Sequence, residues 1–578
     1  MRYKALACDY DETLARKGHV SEEAIDALER LSRAGMFVLL VTGRELDDLL
    51  EVFPQRDLFD LIIAENGGVL HDPAQRTTQP LAEPLPAALV DRLRAEGVTP
   101  LGVGQVIVAT REPYDTQVLA AIRELGLEAQ VIYNKGAVMV LPPNVNKASG
   151  LAAGLERLGL SPHNVAAVGD AENDHAFLSF AECGVAVANA LPALKERCDL
   201  VLRHEAGQGV AELAEMLLSG ELDEYAIERH AVLLGHREDE EEVRLPPYGS
   251  GMVVAGPSGS GKSTVTTALL ERLLEAGHQC VVVDPEGDYA EFEAMNVLGD
   301  PHQPPGMDEV LGILEQPEQS VVVNLIGMPL RERPGYFAEL LPRLASMRAR
   351  LGHPHWLMVD EAHHLMPAEL QRVPLKDAAD IGALLMITVH PEALSPDALR
   401  LVDQCVAVGE GQVDTLGAFA DALGHERPDL PPGQEDSGQI ALWPVGQEAI
   451  RLTLRPGEAE RTRHRRKYAE GTMSKDKSFY FTGAQDKLRL RARNLHSFAE
   501  LADGVDDETW LHHLRAGDYS AWIRASIRDE QLADAVARVE GDDGADDGTL
   551  GRERVRKLIE ERYTLPAEPT SFDPDHDD

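Results

Sequence analysis

The stretch Met252-Val253-Val254-Ala255-Gly256-Pro257-Ser258-Gly259-Ser260-Gly261-Lys262-Ser263-Thr264, continued by VTTALLERLLEAG over 265–277, decides the fold of the chain's middle third. A short apolar run reads as a buried strand, the glycines as a loop, and the leucine-rich continuation as a helix. Gly-x-x-x-x-Gly-Lys-Ser between strand and helix is a phosphate cradle. Its glycines let backbone N–H groups curl around phosphate, Lys262 reaches the β and γ oxygens, and Ser263 ligates Mg²⁺. Residues Gly256 to Thr264 are therefore the expected nucleotide site, with ATP and Mg²⁺ as cofactors.

Outward from the loop, residues 249–455 alternate strands and helices, the pattern of an α/β domain. The run His355–Val359 ends in Asp360-Glu361-Ala362-His363. Asp360 is expected to hold Mg²⁺ through water. Glu361 is placed to polarise an attacking water, which favours hydrolysis over transfer. The next strand, Leu384–Val389, ends at His390, a γ-phosphate sensor or a polar strand cap.

Residues 1–215 also alternate strands and helices. Four strand or helix termini there carry chemistry. Asp9-Tyr10-Asp11 ends the first strand; Thr42-Gly43-Arg44 ends the second. Lys147 opens a helix, and Gly169-Asp170-Ala171-Glu172-Asn173-Asp174 ends a later strand. Carboxylates at the carboxyl ends of parallel strands face the crevice where open sheets bind ligands. The residues supply a nucleophile, a phosphate-binding hydroxyl, a cation and metal carboxylates in one order. Residues 85–143, with strands QVIVAT, AQVIYN and AVMVLP around a helix, read as a small α+β insert.

This first set resembles the haloacid dehalogenase superfamily of phosphatases, in its type IIB, Cof-like branch with a small cap. IIAENGGVL (62–70) and GVAVANALPALKERCDLV (184–201) add to the likeness. Within the branch, the short cap resembles that of archaeal-type phosphoglycolate phosphatases and sucrose-phosphatase relatives. The resemblance implies Asp9 as the nucleophile and Asp11 as general acid and base. Thr42, Gly43 and Lys147 would hold the phosphoryl group, and Mg²⁺ would draw on Asp9, Asp11, Asp170 and Asp174. One departure stands out: Glu12 occupies a position where the family has glycine for a tight turn.

Residues 228–455 resemble the HerA/FtsK ATPases, through AVLLGHREDEEEVRLPP, VVVDPEGDYAEF (281–292), VDEAHHLMP (359–367) and RLVDQCVAVG (400–409). Asp284 and Asp288 match acidic positions of that family. It implies a hexamer with an arginine finger, for which Arg400 is a candidate beside its reading as a surface residue.

The fold class expected is α/β twice over: a Rossmann-like phosphatase domain with cap (1–215), lead-in strands (216–248) and a P-loop domain (249–455). A basic linker (456–477, with RTRHRRK), a small helical domain (478–562) and an acidic tail (563–578) follow. Trp510, His496, His512 and His513 in the helical domain read as its core and surface. The 578 residues carry a net charge of −43, which repels nucleic-acid backbones over most of the surface. No apolar run reaches a membrane span. Five scattered cysteines form no Cys-x-x-Cys pair, so neither a zinc site nor a disulfide framework is suggested, and a reduced, cytoplasmic setting is expected. The partners expected are a small phosphorylated substrate and ATP, with a homo-oligomer and nucleic acid left open. Two alternatives accompany a phosphatase joined to an ATPase: a kinase–phosphatase acting on nucleic-acid ends or small molecules, and a nucleotide-regulated phosphate-sensing switch.

Overall fold

The computed structural model describes residues 2–249, 251–290, 292–368, 383–433, 438–457, 478–483, 487–527, 529–541 and 548–563. The basic segment 461–467 and the acidic tail from 564 lie outside them. The chain divides into two compact units, Met1–Pro456 and Gly457–Asp578.

Among the described residues the first unit holds two large sheets with separate cores, a cap, and a short hairpin of Ala15–Arg16 with His19–Val20. The N-terminal sheet runs, in spatial order, Leu200–Val201, Cys183–Ala186, Val165–Gly169, Ala5–Cys8, Phe37–Val41, Leu61–Ala64, Val69–Asp72 and Thr77–Pro80. Strands from Leu200 to Ala64 pair parallel; the last two turn back as antiparallel hairpins. Ala5–Cys8 sits at the centre, pairing with both Val165–Val168 and Phe37–Leu40. Its four residues are buried, as a central parallel strand covered on both faces demands. The cap is a four-stranded antiparallel sheet, Gln130–Asn134, Ala137–Leu141, Val108–Arg111 and Gly102–Val103. Helices Ala87–Ala95 and Asp115–Leu125 close a small core of its own against that sheet.

Among the described residues the second sheet has 11 strands. Gly251–Ala255 lies between Gln404–Val408 and Leu384–Thr388, and Trp356–Val359 and Cys280–Asp284 follow outward, all parallel. The lead-in strands Val232–His236 and Glu242–Leu245 join this sheet at its antiparallel edge, through Ile450–Leu454.

The two α/β bodies pack along a histidine-rich seam. The Lys4 ammonium donates to the carbonyl of Ala349 at 2.6 Å, and the Asn164 amide to that of Gly352 at 3.1 Å. His353 Nε2 donates to the carbonyl of Gly159 at 3.1 Å, and Tyr248 Oη to that of His163 at 3.2 Å. His163 Nε2 lies 2.8 Å from the carbonyl of Ala276, just past the helix that starts at the P-loop, and its ring stacks on His278 with centroids 3.9 Å apart. Burial holds His278 and His355 well below the usual imidazole range and pushes His230 and His353 down to about 4.

In the second unit a short pair, Phe479–Phe481 with Leu490–Ala492, packs with helices Leu495–Gly504, Asp507–Ala516, Asp518–Trp522, Glu530–Glu540 and Gly548–Tyr563. No described helix is long and apolar enough to cross a membrane.

Candidate active sites

The first site forms where the strands Ala5–Cys8, Phe37–Val41 and Val165–Gly169 all end on one edge. The chain leaves the first strand as Asp9, Tyr10 and Asp11. Asp9 is 5% exposed and faces Lys147, whose ammonium donates to Asp9 Oδ1 at 2.6 Å and to Asp174 Oδ1 at 2.5 Å. Asp174 is fixed twice more, accepting from the backbone N–H groups of Asp170 and Ala171 at 2.8 and 2.9 Å. Asp9, Asp170 and Asp174 each place a carboxylate oxygen within 4.8 Å of the others. Burial, then Asp174, pushes the Asp9 carboxyl up to about 7 against the pull of Lys147. Burial alone would discharge Lys147, but Asp174 and Asp9 outweigh it and raise it above the ordinary lysine range. These three oxygen donors fit a hard divalent cation such as Mg²⁺.

Lys147 is placed by a capping box at Asn146 and by a close approach behind it. A Cβ on Gly150 would come within 2.4 Å of Gly67 Cα and 2.6 Å of Ile63 Cγ2, so only glycine lets this helix lie on the strand end. Thr42 is buried, with Oγ1 accepting from the Arg44 N–H at 3.2 Å. Gly43 sits under Asn66, whose amide oxygen would lie 3.2 Å from a Cβ there. Asp11 stands at the mouth, 44% exposed, clasped by the Arg44 guanidinium at 2.7 and 2.8 Å; Arg44 also reaches Asp48 at 2.7 Å. Glu12 takes the tight turn itself, with φ 62. Its carboxylate accepts from the Lys17 N–H at 3.1 Å, and its carbonyl from the Asn189 amide at 2.7 Å.

Sequence reasoning missed two participants. Lys135, in the turn between the cap strands Gln130–Asn134 and Ala137–Leu141, donates to Asp170 Oδ2 at 2.6 Å. Glu65, buried beneath the cap, accepts from the backbone N–H groups of Gln105, Val106 and Ile107 at 2.8–3.1 Å and so anchors the cap to the sheet. Lys135 carries no motif. Glu65 lies inside the quoted run IIAENGGVL, but its partners lie 40 or more residues away.

The second site is the loop after Gly251–Ala255. Gly256 passes so near strand Gln404–Val408 that a Cβ would lie 2.1 Å from the Val408 carbonyl oxygen. Helix Lys262–Glu275 starts at once, so its first N–H groups open toward the loop, and Ser263 in its first turn is exposed. The Lys262 ammonium donates to the carbonyls of Gly256 and Pro257 at 2.9 and 3.1 Å, closing the loop on itself. Burial lowers Lys262 while Glu361 and Asp360 pull it back up. Asp360 ends Trp356–Val359 and is pushed up to about 8 by burial, then by Asp284, Asp288 and Glu361. Glu361 has φ 40, and its buried Oε2 accepts no hydrogen bond, although His363 Nδ1 lies 3.4 Å away.

The intervening strand is Leu384–Thr388; Thr388 Oγ1 accepts from the His390 N–H at 3.4 Å, and His390 itself lies past the strand end, exposed. Asp284 instead accepts from the N–H groups of Glu286, Gly287 and Tyr289, so it shapes its own turn. Arg400 is 71% exposed and pairs with Asp397. In the helical unit Trp510 is buried and stacked on Tyr519 at 4.4 Å. His513 is fixed by Asp518 and by the Thr482 N–H, while His496 and His512 are exposed.

Residues 6–96 and 101–213 match the haloacid dehalogenase-like hydrolase family, and residues 251–346 match the central domain of helicase HerA. A phosphoglycolate phosphatase of Methanothermobacter thermautotrophicus is 35% identical over 219 residues, covering 36% of this chain and 96% of that protein. Phosphoglycolate phosphatase 2 of Saccharolobus solfataricus is 30% identical over 231 residues, 37% of this chain and 92% of its own. A haloacid dehalogenase-like hydrolase structure from B. subtilis, 20% identical, covers 37% of this chain and 99% of its own with a TM-score of 0.33.

Proposed function

Because this chain belongs, through residues 6–213, to the haloacid dehalogenase-like hydrolase family, we propose that it is a Mg²⁺-dependent phosphomonoesterase fused to an ATP-hydrolysing P-loop domain. The observation that carries the reading is Asp9, held 2.6 Å from the buried ammonium of Lys147 among three clustered carboxylates.

In the phosphatase step an Asp9 oxygen attacks phosphorus and the bond to the leaving oxygen breaks, while Asp11 gives that oxygen its proton. Asp11, now ionised, takes a proton from water. The water oxygen attacks phosphorus, the Asp9–phosphorus bond breaks, and inorganic phosphate leaves. Thr42 and the Gly43 N–H hold phosphoryl oxygens, and Lys147 offsets the charge that develops. Asp9 and Asp170 would hold the Mg²⁺, oriented by Asp174; bound there, it supplies positive charge that favours ionised Asp9. Relatives named phosphoglycolate phosphatases point to a small phosphorylated acid as substrate.

In the P-loop domain, Glu361 has an oxygen without a hydrogen-bond partner beside Asp360, which suits a water-polarising base and so hydrolysis. Gly256 to Thr264 would cradle ATP, with Ser263 and Asp360 toward Mg²⁺.

The test has two arms. Phosphate release from 2-phosphoglycolate and from p-nitrophenyl phosphate is measured for the native chain and Asp9→Asn. A loss of about 10³-fold or more is expected, and unchanged release would refute the mechanism. Asp9→Asn protein is then given γ-³²P-ATP with and without nucleic-acid ends. Label in free phosphate is expected; label on an end would make the second domain a kinase.

A further inference from the structure

The seam between the two α/β bodies contains a group of donors that neither active site uses. His163, Glu182 and His230 each place one ligand atom within 4.8 Å of the others. His163 Nδ1 lies 2.6 Å from Glu182 Oε2, and His230 Nε2 lies 3.5 Å from the same oxygen. Arg2 pairs with the other oxygen, Oε1, so Glu182 turns a single oxygen toward the imidazoles. Asp223 accepts from the Arg2 backbone N–H at 2.9 Å.

Glu182 is fully buried and His163 nearly so. Buried polar atoms without partners are rare, and each calls for a ligand or a reason. Among the described residues there are four such atoms here: Arg2 Nε, His230 Nε2 and both ring nitrogens of His278, which is 1% exposed and stacks on His163.

We propose that this cluster is a structural zinc site, with His163 Nδ1, Glu182 Oε2 and His230 Nε2 as its protein ligands. Two imidazole nitrogens and one carboxylate oxygen suit Zn²⁺, whereas Mg²⁺ prefers oxygen donors throughout. His163 keeps Nε2 on the Ala276 carbonyl, the outer hydrogen bond that orients a metal-bound imidazole. The three ligands come from two short helical turns, Pro162–Asn164 and Glu228–His230, and from the residue before strand Cys183–Ala186. An ion there ties the lead-in segment to the phosphatase sheet, directly under the end of the P-loop helix.

The full chain, purified without a polyhistidine tag, is incubated with excess Zn²⁺, desalted, and its zinc counted by plasma mass spectrometry. The native chain and Asp170→Asn, which alters only the phosphatase site, are expected to retain about one zinc each. His230→Gln, at the rim of the cluster, is expected to retain at least about five-fold less with an unchanged circular dichroism spectrum. Replacing zinc by Co²⁺ gives a second reading: the visible absorption of a site made of these three protein ligands and a water is expected in the native chain and absent from His230→Gln. Native protein that retains no more zinc than His230→Gln overturns the proposal. So does zinc lost on Asp170→Asn, which would place the ion at the phosphatase carboxylates.

Discussion

Arg44 and Asp11 show how much a single residue decides at the phosphatase mouth. Asp11 is exposed enough to sample many rotamers, and its fork of two hydrogen bonds from Arg44 selects one of them. Both its oxygens accept from the guanidinium, so the fork places Asp11 as the base that takes a proton from water, a role worth about 10²–10⁴-fold, and it opens when Asp11 gives its proton to the leaving oxygen. Arg44→Met is therefore expected to lower kcat by about 10-fold or more with little change in KM, because Asp11 remains present but unplaced. A variant with native kcat and a raised KM would instead make Arg44 a substrate-binding residue. Glu12 is instructive in the opposite sense. It stands where the family has glycine for a tight turn. The turn does adopt the left-handed conformation that glycine favours, yet Glu12 directs its carboxylate onto the Lys17 N–H. The motif residues Asp9, Thr42, Lys147 and Asp170 were legible because their chemistry sits at strand and helix ends. Lys135 was not, because a lysine in a hairpin turn reads as surface until the cap is folded over Asp170.

At the scale of elements, strands were readable as continuous apolar runs, and the structure moves their ends by one residue: Gly251–Ala255, Trp356–Val359 and Leu384–Thr388. The order of strands was not readable, because parallel pairing joins runs far apart in the chain and leaves no local periodicity. The pairing of Val165–Val168 with Ala5–Cys8 is what carries Asp170 to Asp9. Helix Lys147–Leu158 depends on another long-range contact, Gly150 against Gly67. Gly150→Ala forces a methyl into backbone at 2.4 Å and into Ile63. Overpacking of this kind costs about 1–3 kcal/mol. The variant is expected to unfold at lower denaturant and to lose phosphate release at temperatures where it stays folded, because Lys147 rides on the displaced helix. Native activity at native stability would mean that the helix and the Glu65–Gly67 turn part without cost.

For the molecule as a whole, the seam is the feature that sequence patterns could not reach. His163, His230, His278, His353 and His355 come from separate segments, and each alone reads as an ordinary histidine. Packed together and kept neutral by burial, four of them make the join sensitive to acid. His230 and His353 take a proton near pH 4 when the seam is closed, against about 6.5 when it is open to water. Between those values the open form binds more protons, so closure weakens as pH falls through this window. Each of the two groups contributes about 2 kcal/mol of that loss by pH 5, and His278 and His355 add to it in the same direction. Hydrogen–deuterium exchange of metal-stripped protein is expected to speed up at 159–164 and 276–280 by more than about 10-fold between pH 7 and pH 5, after correction for intrinsic rates. His353→Gln keeps a donor for the Gly159 carbonyl but cannot take a proton, and it is expected to flatten that dependence. Exchange at these segments that is independent of pH, or a slope unaltered by His353→Gln, would place the acid-sensitive groups elsewhere. Because His163 holds the end of the P-loop helix and lies two residues before the strand Val165–Gly169 that leads into Asp170, opening the seam is expected to loosen both sites together.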